Sequence, residues 1–91
     1  MSTNDDMSRP IQDPAALGLA LRERRRELGL SQQQLAARIG VSRQWVVDLE
    51  GGKERAELGL VLRALRGLDM RVVVEPLGPA ALDLDRLVDD A

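Results

Sequence analysis

The sequence contains no cysteine, no histidine, no phenylalanine and no tyrosine. Without cysteine there is no disulfide framework and no thiolate metal site, and without histidine the imidazole-based metal and catalytic arrangements go too. Catalysis would then need paired carboxylates or a lysine. Yet the sole lysine, Lys53, falls in a loop, and the acids lie mostly on the tails or on exposed faces. No glycine-rich phosphate loop follows a strand. These absences argue against an enzyme or a small-molecule sensor, and no cofactor or metal is implied. There is also no apolar run near the roughly 20 residues of a membrane span. The opening stretch, MSTNDDMSRPIQDP, is polar and acidic rather than a secretory leader. A cytoplasmic protein without a membrane partner is expected.

What remains is 91 residues, 44% of them hydrophobic, with one tryptophan as the only aromatic. A core of Leu, Val, Ile and Ala suits small packed helices. A compact unit of about 60 residues is marginal alone, so oligomerisation would help it. Formal net charge is −2, but it is unevenly spread. Residues 14–55 hold eight basic and five acidic side chains, whereas the ends, 1–13 and 78–91, together hold two basic and seven acidic. An anionic partner would meet the local positive field of the middle, not the net charge.

Three segments follow: a polar, disordered tail over 1–12, one folded domain over 13–77 and a flexible acidic tail over 78–91. Asp13 as N-cap and Pro14 at the first helical position open a helix with Leu17, Leu21 and Leu28 as its apolar stripe, ended by Gly29. Arg22, Arg24, Arg25 and Arg26 crowd its last two turns and read as a solvated face, with phosphate contact for one or two of them. In LSQQQLAARIGVSRQWVVDLEGGK, residues 30–53, Ser31 and Gln34 form a capping box. Leu35, Ala36 and Ile39 share one face, and Gly40 suits a left-handed helix end. Ser42 then caps a helix that buries Val46 and Leu49. Two short helices around that turn make a helix-turn-helix, whose second helix can enter the major groove of DNA. A fourth helix over about 56–67 turns Leu58, Val61, Leu62 and Leu65 inward and leaves Leu60 for a subunit contact. Met70, Arg71, Val72, Val73, Val74 and Glu75 then read as a strand with no partner elsewhere in the chain.

This segment resembles the Xre/Cro-type helix-turn-helix family, through Gln32, Ala36, Gly40, Val46, Leu49 and the ending Glu50-Gly51-Gly52-Lys53. With the preceding LRERRRELGLSQQQLA, the leucine-rich fourth helix and the closing MRVVVEP, residues 14–77 look most like HipB-type antitoxins. The resemblance implies a mainly α fold: a four-helix, lambda repressor-like domain plus a short C-terminal strand that pairs across a homodimer. It also implies a palindromic double-stranded operator as ligand, a HipA-like kinase toxin as partner, and a bacterial, nucleoid-associated location through operator binding. A repressor of the same family without a kinase partner is the alternative.

Helical geometry turns Arg43, Gln44 and Val47 away from the core, with Asp48 beside them. Arg43 can fork onto guanine, Gln44 can pair with adenine or guanine, and Val47 can meet a thymine methyl. Asp48 has two open readings: it accepts from cytosine, or it repels phosphates and holds Arg43 in an ion pair. Gln32 and Gln33 at a helix N-terminus suit phosphates. Ser42 reads as a cap first and a phosphate ligand second, and the family ending adds Lys53 as a phosphate contact. Trp45 stays open between packing on the first motif helix, lying along the DNA backbone and touching a protein. The tail over 79–91 reads either as loosely helical or as a recognition segment that orders on a partner.

Overall fold

A computed structural model describes residues 10–77, so the expected tails lie outside the described residues except for 10–12. Four helices follow in order: α1, Pro14–Glu27; α2, Gln32–Ile39; α3, Arg43–Glu50; and α4, Leu58–Gly67. The start signals act as expected. The Asp13 side chain accepts from the Ala16 amide at 2.8 Å, directly before Pro14. Ser31 and Gln34 close a reciprocal capping box, each side chain bonded to the other's backbone amide at 3.0 and 2.8 Å. Ser42 Oγ accepts from the Trp45 amide at 3.0 Å. Gly40 ends α2 at φ 79°, in the left-handed region that a residue with a Cβ enters only at a cost, and so turns the chain into α3.

The helices meet over one core. Leu21 comes from α1; Leu35, Ala36 and Ile39 from α2; Val46 and Leu49 from α3; and Val61, Ala64, Leu65 and the following Leu68 from the α4 end. An isolated helix of eight residues is unstable in water, so α2 and α3 persist through this burial and their serine caps. Small residues let the backbones close in. Ala36 is fully buried between the motif helices. A Cβ on Gly18 would lie 2.5 Å from the Leu49 carbonyl oxygen and 2.6 Å from that of Glu50, so α1 crosses the end of α3 at backbone distance. At Gly67 a Cβ would come within 2.5 Å of Ile39 Cγ2, where α4 lies against α2.

Two expectations need correction, at Leu28 and at the start and stripe of α4, and two others concern contacts between chains. Leu28 is exposed, because α1 stops at Glu27 and Leu28 leaves the helical register. α4 begins at Leu58 rather than near Ala56, and Leu58 and Leu62 are 70% and 39% exposed. Its buried stripe is Val61, Ala64 and Leu65, and Leu62 sits roughly 100° round the helix from Val61. Ala64 is fully buried in that stripe. Leu60, expected at a subunit contact, is half-buried in the single chain. Finally, the described residues contain no strand. Met70 is half-buried against the core, and Arg71, Val72, Val73, Val74 and Glu75 are exposed in irregular backbone. A strand exists through its hydrogen-bond ladder, and the described residues of one chain supply no second edge.

The crossing at Gly18 gives a test. Gly18→Ala is predicted to destabilise the domain by about 1–3 kcal/mol through overpacking against backbone that cannot move aside. A Cβ on Gly59 in α4 meets nothing within 4 Å, so Gly59→Ala should be neutral or stabilise by up to about 1 kcal/mol. Urea unfolding of both variants measures the contrast. Equal midpoints would mean that the two helices do not approach so closely.

Candidate nucleic-acid interface

The centre of the motif is a buried ion pair. The Arg25 guanidinium grips the Glu50 carboxylate at two points, Nε donating to Oε2 at 2.6 Å and Nη2 to Oε1 at 3.0 Å. Nη1 donates to the Leu30 carbonyl at 2.8 Å, in the link before α2. The two side chains are only 9% and 4% exposed. One guanidinium therefore joins α1, the link and the end of α3. Arg25 belongs to neither the solvated face nor a phosphate surface. Arg24 is engaged too, through the Leu68 carbonyl at 3.0 Å and Glu27 at 3.3 Å. The signal for this was in the sequence: Arg25 follows Leu21 by four residues and so occupies the apolar stripe of α1.

From this pair a chain of hydrogen bonds runs outward. Gln32 Nε2 donates to Glu50 Oε1 at 3.1 Å, which fixes which end of the Gln32 amide faces inward. Its Oε1 then accepts from Arg43 Nη2 at 3.4 Å, at the exposed start of α3. Half-buried Gln32 thus sits between the core ion pair and the projecting guanidinium. Gln44 is exposed and donates through Nε2 to Asp48 Oδ1 at 2.9 Å. Of the two open readings of Asp48, the ion pair with Arg43 does not form. Residues four apart on a helix face each other, whereas those five apart do not, so Asp48 meets Gln44.

The remaining candidates fall as follows. Arg43, Gln44, Gln33, Ser42 and Lys53 are exposed, while Val47 and Asp48 are half-buried. Val47 also lines a cleft towards α1. Ser42 acts as the α3 cap. Trp45 packs against the core while half-exposed, which favours the packing reading without using its whole ring. The structure thus brings Gln32, Arg43, Gln44 and Asp48 together around the start and outer side of α3.

Comparison with known proteins identifies the family and the fold. The model of a helix-turn-helix domain family covers residues 16–77. The chain belongs to this helix-turn-helix family. An uncharacterised helix-turn-helix-type transcriptional regulator of Sinorhizobium fredii is 42% identical over 62 residues, spanning 68% of this chain and 82% of the relative. Another from Methanothermobacter thermautotrophicus is 48% identical over 48 residues, spanning 53% of this chain and 70% of the relative. Among solved structures, a chain of a HipA–HipB–O2–O3 complex superimposes with a TM-score of 0.72 at 21% identity, covering 77% of this chain and 99% of that one. The clp gene regulator ClgR from C. glutamicum gives 0.62 at 28%, covering 71% and 83%. The protein is a DNA-binding helix-turn-helix transcriptional regulator, and its four-helix fold is HipB-like. No helix among the described residues is long and apolar enough to cross a membrane.

The ion pair predicts a strong, asymmetric response. Glu50→Gln leaves a buried guanidinium without its counter-charge and should destabilise the domain by about 3–5 kcal/mol. Replacing both partners, Arg25→Leu with Glu50→Leu, should recover much of that loss. Denaturation midpoints of the single and double variants provide the measurement. If Glu50→Gln unfolds at the wild-type denaturant concentration, the pair is not buried in solution.

Proposed function

We propose that this regulator is an antitoxin-type repressor that binds a palindromic operator as a homodimer and also binds a HipA-like kinase toxin. The observation that carries the DNA part is the Arg43–Gln44 edge, exposed at the start of α3 and buttressed through Gln32 by the buried ion pair. Arg43 would read guanine and Gln44 an adenine or guanine, while Asp48, bonded to Gln44, would set how that amide is presented. Gln33, Gln32, Ser42 and Lys53 would meet the phosphates on either side. The HipB-like fold, shared with a chain that occurs with HipA in one complex, supports the toxin partner. The names of the sequence relatives, which are transcriptional regulators, support the alternative of a repressor without a kinase.

Two titrations separate these readings. Against duplex containing the operator, Arg43→Ala should cost about 1–3 kcal/mol and relax preference at one position of each half-site. Equal loss on cognate and scrambled duplex would leave Arg43 as a phosphate contact only. Against a HipA-like kinase encoded beside this protein, wild type should bind stably; absence of binding would leave the repressor alternative.

The dimer rests on the exposed segment after α4. Val72, Val73 and Val74 are 54%, 62% and 90% exposed, an apolar run that the other described residues leave uncovered. Antiparallel pairing of residues 70–75 with the same segment of a second copy would cover it and supply the missing ladder. Half-sites one helical turn apart, about 34 Å, would then match the twofold axis. Val73→Pro, which removes a backbone donor, should weaken the dimer. Sedimentation at tens of micromolar checks this, and a wholly monomeric wild type would remove the proposal.

A further inference from the structure

The run of four arginines on α1 divides into two pairs. Arg24 and Arg25 already have partners for their guanidinium groups, in Leu68 and Glu27 for the first and Glu50 and Leu30 for the second. Arg22 and Arg26 lie four residues apart, one turn of α1, and both are exposed. Among the described residues neither is held by a hydrogen bond or an ion pair. Both line an open cleft of about 340 Å³ between α1 and α3, whose other walls include Gln32, Val47 and Glu50. The one carboxylate in that cleft, Glu50, is already neutralised by Arg25. The cleft therefore carries two uncommitted positive charges and no free negative one. It is bounded by Gln32, whose neighbour Arg43 heads the exposed edge of α3.

We infer that Arg22 and Arg26 form a second phosphate-binding ridge, which takes the backbone of the same DNA strand that passes the N-terminus of α2. The inference rests on the DNA-binding reading above and extends it onto α1. A helix lying in a groove about 12 Å wide has sugar-phosphate walls on both sides, so flanking elements meet phosphates rather than bases. Arginine suits that position because its planar fork matches phosphate oxygens. Such contacts carry no sequence information. Their signature is the release of condensed counterions, which sets how steeply affinity falls with salt.

The experiment measures the binding of full-length protein to cognate and scrambled duplexes over a range of salt concentrations. Arg22→Gln and Arg26→Gln should each make the slope of log affinity against log salt shallower by about 0.9, and the double variant by about 1.8. The loss should be equal on both duplexes, and Arg22→Lys with Arg26→Lys should restore the slope. Arg66→Gln, a change at an exposed arginine on α4, should leave it unaltered. Circular dichroism confirms that each variant is folded. An unchanged slope in the double glutamine variant, with wild type still bound to duplex, overturns the ridge and leaves the DNA-binding reading standing. A loss confined to the cognate duplex overturns it too, since it would mean base contact. Wild type that retains neither duplex overturns both readings together.

Discussion

One guanidinium in contact with one carboxylate, both shut away from water, sets the geometry on which the rest of this protein depends. Arg25 comes from α1 and Glu50 from the last residue of α3, 25 positions later, and the same guanidinium also holds the carbonyl of Leu30. Removing two charges from water is costly, and attraction repays it only where the remaining donors and acceptors find partners. Here they do: Gln32 takes up a further share of Glu50, and no buried side-chain polar atom of the described residues lacks a partner. Such a pair contributes less to net stability than to uniqueness of arrangement. An apolar core of leucine, valine and alanine tolerates small rotations of its helices, whereas a bidentate ion pair at 2.6 and 3.0 Å does not.

That uniqueness matters because the two helices of the motif are only eight residues long. Their caps fix where each begins, and Gly40 fixes the angle between them, but neither determines how the pair sits on α1. The backbone crossing at Gly18 and the Arg25–Glu50 pair, two turns apart on one face of α1, together do so at the end of α3. The outer surface is tied to the same point, since Gln32 bonds Glu50 with one end of its amide and Arg43 with the other. Core packing and the orientation of a surface arginine are thus parts of one network.

The features legible in the sequence were those written in neighbouring residues. Asp13 before Pro14, Ser31 with Gln34, Gly40 and Ser42 each act within a single helical turn, so their types and spacing suffice. Features that failed to show depend on partners far along the chain. Arg25 looks like one more member of a basic run until Glu50 is brought beside it. Ala64 looks too small for a core position, and Leu62 large enough for one, until the proximity of Gly67 to Ile39 reveals how little space α4 has. At the candidate interface, the exposure of Arg43 and Gln44 followed from helical periodicity. The choice of Gln44 over Arg43 by Asp48 was also implicit in the i, i+4 spacing, but a charge-based pairing obscured it. The segment over 70–75 has a strand's alternation and no strand's ladder, because pairing is a property of two segments and the described residues offer only the first.

Trp45 gives the molecule a built-in optical reporter. It is the sole aromatic residue of the sequence, so near-ultraviolet absorbance and emission arise from one indole without tyrosine background. That indole lies in the first turn of α3, half against the core and half in solvent, adjacent to the edge formed by Arg43 and Gln44. Loss of the core would expose the buried half and shift its emission to the red, whereas anything that settles over the start of α3 would screen the solvent half. Unfolding and occupancy therefore change the same signal in opposite directions, and a single fluorophore distinguishes a protein that has melted from one that has docked.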